Sequence, residues 1–305
     1  MPKLTMMVGL SGSGKTAFAK ETGAQVFSSD DIRAELFGDE NDQTHNAEVF
    51  AELHKRIKAA LNSGQDAVYD ATNLSRKRRM EFLSGLGYKL QANVYKTCCI
   101  MATPIDKCVL RNMERKRHVP PSVIVDQWHK FETPCYWEGF DFIYTVNEPI
   151  FTTFSRYLEL MHDFKQDNSH HEFTLLEHCN KTAEYIKSKT DNQNLILAAQ
   201  LHDIGKLWTK TFSNYKGEPT KEAHYYSHNN VGAYESLLIF DEDPLPLYVS
   251  QLICYHMLPY QLESEKAKDR WLKRMGKDFY DDIMLLHEAD KASHLSPSQE
   301  AKGAI

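Results

Sequence analysis

The sequence predicts two domains in tandem: an α/β domain with a central parallel sheet over residues 1–150, then an all-α helical domain over residues 153–305. Three observations lead there. The chain has 305 residues and a mass of 35.2 kDa, about what two cores of roughly 150 residues need. Short apolar runs alternate with helical periodicity as far as Pro149, and after it only helical stretches follow. Ten of the fourteen histidines lie beyond residue 150, so the second half has a chemistry of its own.

Taken in order, residues 4–8, 25–28, 67–70, 89–100 and 140–146 read as short apolar strands, with helical spacing over 47–61, 76–86 and 105–116 between them. Strands that alternate with helices imply parallel pairing through crossover helices. The turn-forming Asn147-Glu148-Pro149 places the boundary near 148–155. Beyond it, 157–164, 173–188, 194–202 and 232–240 read as helices, with no strand pattern. No repeat or low-complexity tract interrupts either half.

The formal net charge of −6 excludes nucleic-acid binding by overall basicity. Residues 1–150 carry 19 basic and 19 acidic side chains and 151–305 carry 17 and 23, so the deficit belongs to the second half. Residues 71–120 hold 11 basic and 3 acidic groups, which fits a polyanion footprint and equally a solvated helix face. The six cysteines form no CxxC pair and read as buried thiols of a reducing compartment. No run approaches the ~18–20 apolar residues of a membrane span and no signal pattern opens the chain, so a cytoplasmic protein with no membrane partner is expected.

Gly9-Leu10-Ser11-Gly12-Ser13-Gly14-Lys15-Thr16 is a complete GxxxxGK[ST] motif directly after the first strand. Its backbone N–H groups, from Gly9 and Gly12 through Ser13 and Gly14, can wrap the phosphates of ATP or another NTP at a helix N-terminus. Lys15 would neutralise the β and γ oxygens and Thr16 would ligate Mg²⁺. Asp30 and Asp31 close the second strand, where a carboxylate faces the ligand crevice and can take a proton from an attacking hydroxyl; the same dipeptide also suits an N-cap. Asp70-Ala71-Thr72-Asn73 closes the third strand ahead of the basic run Arg76 to Arg79, and Arg111 through Arg117 form a hinge whose arginines can fold over a γ-phosphate.

Together these stretches resemble the 5′-hydroxyl polynucleotide kinases of phages and RNA-repair enzymes, over about residues 1–148. The resemblance implies that Lys15 and Thr16 hold the donor phosphates and Mg²⁺, Asp30 is the general base on the 5′-OH, Arg33 contacts the acceptor phosphate and Arg115 is the lid arginine. The phage pattern puts an acid directly before the Thr-Asn pair, where this chain has Ala71, and that leaves the role of Asp70 open. Small metabolite kinases and zeta-toxin-like proteins share the P-loop and a similar strand end.

In the second half, His178, His202-Asp203-Ile204-Gly205-Lys206 and Asp290 form a set of imidazoles and carboxylates drawn from separate helical stretches. Such a set suits Mn²⁺, Fe²⁺, Ni²⁺ or Co²⁺, which can activate water against a phosphoester. It resembles the HD phosphohydrolase family. By that resemblance His178, His202, Asp203 and Asp290 are metal ligands and Lys206 is a phosphate contact. His228 and His256 stand where family members with a second metal carry histidines. His171, the Lys216-Gly217 pair and His224 add a similarity to the HD domain appended to some CCA-adding tRNA nucleotidyltransferases. His162, His287 and His294 read as structural.

The two resemblances imply an RNA end-healing enzyme, which would phosphorylate 5′-OH ends and remove 2′,3′-cyclic phosphate or 2′- or 3′-phosphate, with DNA ends as the alternative polymer. No Lys-x-Asp-Gly motif is present, so sealing would need a separate ligase. A nucleoside or small-metabolite kinase joined to an HD nucleotidase fits the same motifs. A regulatory HD module without turnover fits less well, because the ligand set is complete.

Overall fold

The computed structural model describes residues 1–87, 93–115, 118–148, 154–169, 172–239 and 245–294. The chain divides into two compact units, Met1–Glu148 and Pro149–Ile305.

In the first unit the order is β1 (Lys3–Val8), α1 (Lys15–Glu21), β2 (Gln25–Ser28), α2 (Ser29–Phe37), α3 (Asn46–Asn62), β3 (Ala67–Asp70), α4 (Arg76–Gly87), β4 (Tyr95–Ala102), α5 (Ile105–Met113), α6 (Pro121–His129) and β5 (Phe142–Asn147). The strands form one parallel sheet in the order β2-β3-β1-β4-β5. β1 is central and buried from Leu4 onward, as expected for a strand covered on both faces. Because β2, β3 and β1 are neighbours, the segments that follow them open side by side at one edge of the sheet, where a parallel sheet holds its ligand. The strand expected over 89–100 starts at Tyr95 and runs to Ala102; residues 88–92 lie outside the described part. The helix expected to reach residue 116 ends at Met113, with Glu114 as its C-cap.

The second unit is helical: α7 (Phe154–His162), α8 (Leu175–Lys187), α9 (Gln193–Leu201), α10 (Lys206–Thr209), then β6 (Lys210–Ser213) and β7 (Pro219–Tyr225), then α11 (His228–Ile239), α12 (Leu245–Tyr255), α13 (Glu265–Met275) and α14 (Lys277–Ala292). A Thr174–Glu177 capping box starts α8 and the Asn192 side chain caps α9. The antiparallel β6–β7 hairpin is a correction to the strand-free expectation. Its strands are polar on both faces, with Ala223 alone buried, so no apolar alternation announces them. All six cysteines are free and buried. No described helix is long and apolar enough to cross a membrane.

Candidate functional site

The loop after β1 has the shape that phosphate wrapping demands. Gly14 takes a left-handed conformation (φ 90°) as N-cap of α1, and a Cβ on Gly12 (φ 86°) would stand 2.2 Å from the Cys108 carbonyl oxygen. Lys15 Nζ donates to the Leu10 carbonyl at 2.7 Å and to Ser13 Oγ at 3.5 Å, spanning the loop. Burial pushes the Lys15 pKa down; Asp70 pulls it back up, and the charge of Arg115 pushes it further down. Arg115 is exposed just beyond α5.

Asp70, whose role the sequence left open, accepts a 2.7 Å hydrogen bond from Thr16 Oγ1. Burial raises its carboxyl pKa, the Thr16 bond and Lys15 lower it, and Asp30 and Asp31 raise it again, so the acids of the β2 and β3 ends share one field. A hydroxyl bonded to a carboxylate beside the P-loop lysine is a pair suited to Mg²⁺.

The N-cap of α2 is Ser28, whose Oγ accepts from the Asp30 and Asp31 N–H groups at 3.2 and 3.4 Å. Neither aspartate is therefore the cap, and the Asp30 carboxylate, 47% exposed, pairs instead with Arg33 Nη1 at 2.8 Å. Arg33, expected at an acceptor phosphate, is 3% exposed, with Nη1 on Asp30 Oδ1 at 2.8 Å and Nη2 on Asn46 Oδ1 at 2.9 Å, while its buried Nε has no hydrogen-bond partner among the described residues. Arg79 also leaves the expected basic surface. Its Nε and Nη2 each lie 2.7 Å from Glu138 in a fully buried pair, and its Nη1 donates to the Asn73 and Leu74 carbonyls, bracing the loop after β3.

Sequence reasoning missed Gln127. From α6 its Oε1 accepts from the Ser11 N–H at 2.7 Å and its Nε2 donates to Ser11 Oγ at 3.0 Å, a two-bond clamp on the P-loop across 116 residues. Gln127→Ala is expected to raise the KM for ATP about thirtyfold through loss of two bonds of ~1 kcal/mol each, with little change in kcat, in initial-rate kinetics.

In the second unit, His178 comes from α8, His202 and Asp203 from the end of α9, His228 from the start of α11, His256 from just beyond α12 and Asp290 from α14. Each imidazole is fixed by its Nδ1, which faces a backbone carbonyl: His178 to Ser293 (3.3 Å), His202 to Ala199 (2.8 Å), His228 to Tyr225 (2.7 Å) and His256 to Ile253 (2.7 Å). A carbonyl only accepts, so Nδ1 carries a proton and Nε2 is the ring nitrogen left to face a metal. These Nε2 atoms converge. His178 and His202 Nε2 lie 3.2 Å apart, Asp203 Oδ2 is 3.4 Å from both, and Asp290 Oδ1 is 3.2 and 3.5 Å from them. Donors about 3.3 Å apart are what metal–ligand bonds of about 2.0–2.1 Å generate around a tetrahedral ion.

Asp203 belongs to two sets. Its Oδ2 faces His178 and His202, while its Oδ1 faces His228 Nε2 (3.2 Å) and His256 Nε2 (3.8 Å), which are themselves 3.2 Å apart. The electrostatics favour positive charge at the centre. Burial opposes ionisation of Asp203, but Lys206 and His202 hold its carboxyl well below the usual range. Asp290 is likewise held low against burial by the histidines that face it. Burial, with His228 and His202, pushes His256 down to about 3, leaving it neutral and able to ligate. A divalent cation fits this donor set.

Lys206 is buried, with Nζ 2.6 Å from Asp203 Oδ2 and 2.7 Å from Gln166 Oε1. His294, read from the sequence as structural, is corrected: its Nε2 lies 3.0 Å from Asp290 Oδ1, and Tyr260 donates to Asp290 Oδ2 at 3.0 Å. His162 is exposed and pairs with Asp163, and His287 packs edge-on against Tyr260. His224 stays outside the cluster, stacked on Tyr226, and His171 lies outside the described residues. Gly205 brings the two sets together, because a Cβ there would stand 2.0 Å from the His228 carbonyl oxygen and 2.6 Å from Gly232 N. Gly205→Ala is expected to cost about 1–3 kcal/mol by overpacking and to empty the His228 set first, read by Tm and by metal content.

Residues 4–134 match the AAA domain family, and residues 160–293 match the HD domain family. Among curated proteins, none matches the chain. Similar solved structures include a chain of a Pnkp1/Rnl/Hen1 complex, 24% identical, with 36% of this chain and 38% of that chain covered and a TM-score of 0.30. This chain thus spans less than two-fifths of that one. A sugar kinase from Janibacter sp. HTCC2649 is 18% identical over 48% of this chain and 86% of that one, with a TM-score of 0.35. A gluconokinase from Sinorhizobium meliloti 1021 is 19% identical over 48% and 82%, with a TM-score of 0.32.

Proposed function

We propose that this enzyme, an AAA-type P-loop kinase domain followed by an HD phosphohydrolase domain, heals RNA ends: it phosphorylates polynucleotide 5′-OH groups and removes 2′,3′-cyclic phosphate or 2′- or 3′-phosphate. The observation that carries the reading is that one chain holds both a P-loop site with an oriented acceptor-side carboxylate, Asp30, and a convergent His/Asp phosphoesterase site. Ribonuclease cleavage leaves a 5′-OH and a cyclic phosphate, and these two chemistries convert both into ligatable ends. A separate ligase would seal them, and DNA ends are the alternative polymer.

In the kinase unit Lys15 would hold the β and γ oxygens of ATP, Thr16 and Asp70 would hold Mg²⁺, and Asp30, steadied by Arg33, would take the proton of the attacking hydroxyl. Arg115 closes from the lid onto the γ-phosphate, where charge spreads in the transition state. In the HD unit His178, His202, Asp203 and Asp290 would hold one divalent ion, of the Mn²⁺, Fe²⁺, Ni²⁺ or Co²⁺ type, and Asp203, His228 and His256 a second. Bound there, such ions lower the pKa of water and polarise a phosphoryl oxygen. His294 and Tyr260 keep Asp290 aimed, and Lys206 sets the orientation of Asp203 and carries positive charge at the phosphate position.

One observation favours a small-molecule acceptor instead: Arg33 and Arg79 are buried and paired, which thins the basic surface a polymer would meet. The test offers γ-labelled ATP and Mg²⁺ with a 5′-OH oligoribonucleotide or a nucleoside, and in parallel Ni²⁺, Co²⁺ or Mn²⁺ with RNA ending in a 2′,3′-cyclic phosphate. Label on the oligonucleotide and metal-dependent phosphate release support end healing. Label on the nucleoside alone establishes the small-metabolite kinase.

A further inference from the structure

Lys206 touches the carboxylate that both donor sets share, and the rest of its seat is built by residues outside those sets. Its Nζ lies 2.6 Å from Asp203 Oδ2, 2.7 Å from Gln166 Oε1 and 5.3 Å from the centre of the Tyr225 ring. Gln166 is 1% exposed. An ammonium only donates and a carbonyl only accepts, so the orientation of the amide is determined: Oε1 faces Lys206, and Nε2 donates to the Phe173 carbonyl at 3.4 Å.

The backbone around Gln166 is pinned on both sides. Lys165 bridges Thr174, and the Leu175 N–H donates to the Phe164 carbonyl at 3.0 Å, which ties the segment to the start of α8. On the other side the Tyr225 hydroxyl donates to the Gln166 carbonyl, the Ala223 N–H donates to the Asp167 carbonyl at 2.8 Å, and Lys210 Nζ pairs with the Asp167 carboxylate at 2.6 Å. Asp167 holds a left-handed φ of 50°, which a residue other than glycine keeps where its surroundings over-determine it. Tyr225 links this seat to the metal site: its ring lies under Lys206, its hydroxyl holds Gln166, and its own carbonyl faces His228 Nδ1.

That the second acceptor is an amide has a chemical consequence. A buried ammonium needs acceptors, but a carboxylate at position 166 would, with Asp203, outweigh the charge of Lys206 and turn the seat against an anion. An amide oxygen satisfies the ammonium and leaves its charge in place. We propose that Gln166 is a positioning residue for phosphate binding: it seats Lys206 beside Asp203 without neutralising it, so that the ammonium meets the anionic oxygens of a phosphoester in the HD site. The proposal rests on the phosphohydrolase reading of that unit.

The whole protein, loaded with Mn²⁺ or Ni²⁺, is assayed for phosphate release from RNA ending in a 2′,3′-cyclic phosphate and from p-nitrophenyl phosphate, with bound metal measured in parallel. Gln166→Met removes the bond to Lys206, and Gln166→Glu keeps an acceptor there but adds a charge. Each is expected to lower kcat/KM about tenfold or more on any substrate the wild type turns over, the scale of one hydrogen bond to a charged group, with metal content at the wild-type level. In a Lys206→Met background neither should cost anything further, because a residue that acts through the lysine loses its effect with it. Full activity in Gln166→Glu, or losses that persist in the Lys206→Met background, overturns the proposal. Loss of metal in both variants also overturns it and makes Gln166 a support of the donor set. Where Gln166→Met does not fold, Gln166→Glu and its double variant with Lys206→Met decide. If the wild type acts on neither substrate, the phosphohydrolase reading fails, and Gln166 is judged by calorimetric binding of inorganic phosphate to the Mn²⁺-loaded protein. A Kd raised about tenfold by Gln166→Glu sustains the proposal, and an unchanged Kd, or no binding by the wild type, overturns it.

Discussion

Asp203→Asn is expected to lower metal-dependent phosphate release by at least about 10³-fold, the scale of losing the group that assembles a metal site, while kinase activity, carried by the other compact unit, stays within about twofold. The substitution keeps the volume and removes the one anion that both donor sets share: Oδ2 faces His178 and His202, and Oδ1 faces His228 and His256. It also leaves the buried Lys206 ammonium without its 2.6 Å partner. Breaking one side of a buried pair costs about 3–5 kcal/mol, so Tm should fall even where metal is scarce. Metal analysis separates the two sets. The wild type should bind about two ions, the number a shared carboxylate can bridge; His256→Ala should keep about one, and Asp203→Asn fewer still. Unchanged metal content and phosphate release in Asp203→Asn would remove Asp203 from the centre.

The division between what the sequence showed and what it hid follows physical range. The P-loop, Asp30 and the His-Asp-Ile-Gly-Lys tract are local, because a backbone turn or an adjacent ligand pair fixes its residue types over a few positions. The parallel sheet was equally legible, since buried strands such as β1 are predominantly apolar. Three things were not. The part played by Asp70 depends on a bond to Thr16 across 54 residues, made possible by the pairing of β1 with β3. Tyr260 acts on Asp290 only because the turn before α13 places it there, with no spacing signal, whereas His294 stands four residues after Asp290, a helical spacing that the metal-ligand pattern did not include. Arg79 counted toward the basic footprint of residues 71–120 and Arg33 was expected at an acceptor phosphate, yet each is withdrawn into a carboxylate pair, and charge tallies do not register burial.

Asp30→Asn is expected to lower kcat for phosphoryl transfer by about 10²–10⁴-fold, the range for loss of a general base, with KM for ATP unchanged because Lys15, Thr16 and Asp70 are untouched. Arg33 then decides how the acceptor side works. Its guanidinium holds Asp30 Oδ1 at 2.8 Å and Asn46 Oδ1 at 2.9 Å, and it is buried. A residue that acts by aiming another loses its effect once the other is gone. Arg33→Ala alone should therefore reduce kcat about tenfold, roughly the worth of one charge-assisted bond, and add nothing in the Asp30→Asn background. A guanidinium bound to an acceptor phosphate would behave otherwise, raising the acceptor KM in both backgrounds and sparing an acceptor that lacks that phosphate. Steady-state rates of the two single variants and the double variant, on acceptors with and without a 3′-phosphate, choose between the two roles. Additive losses would return Arg33 to the acceptor.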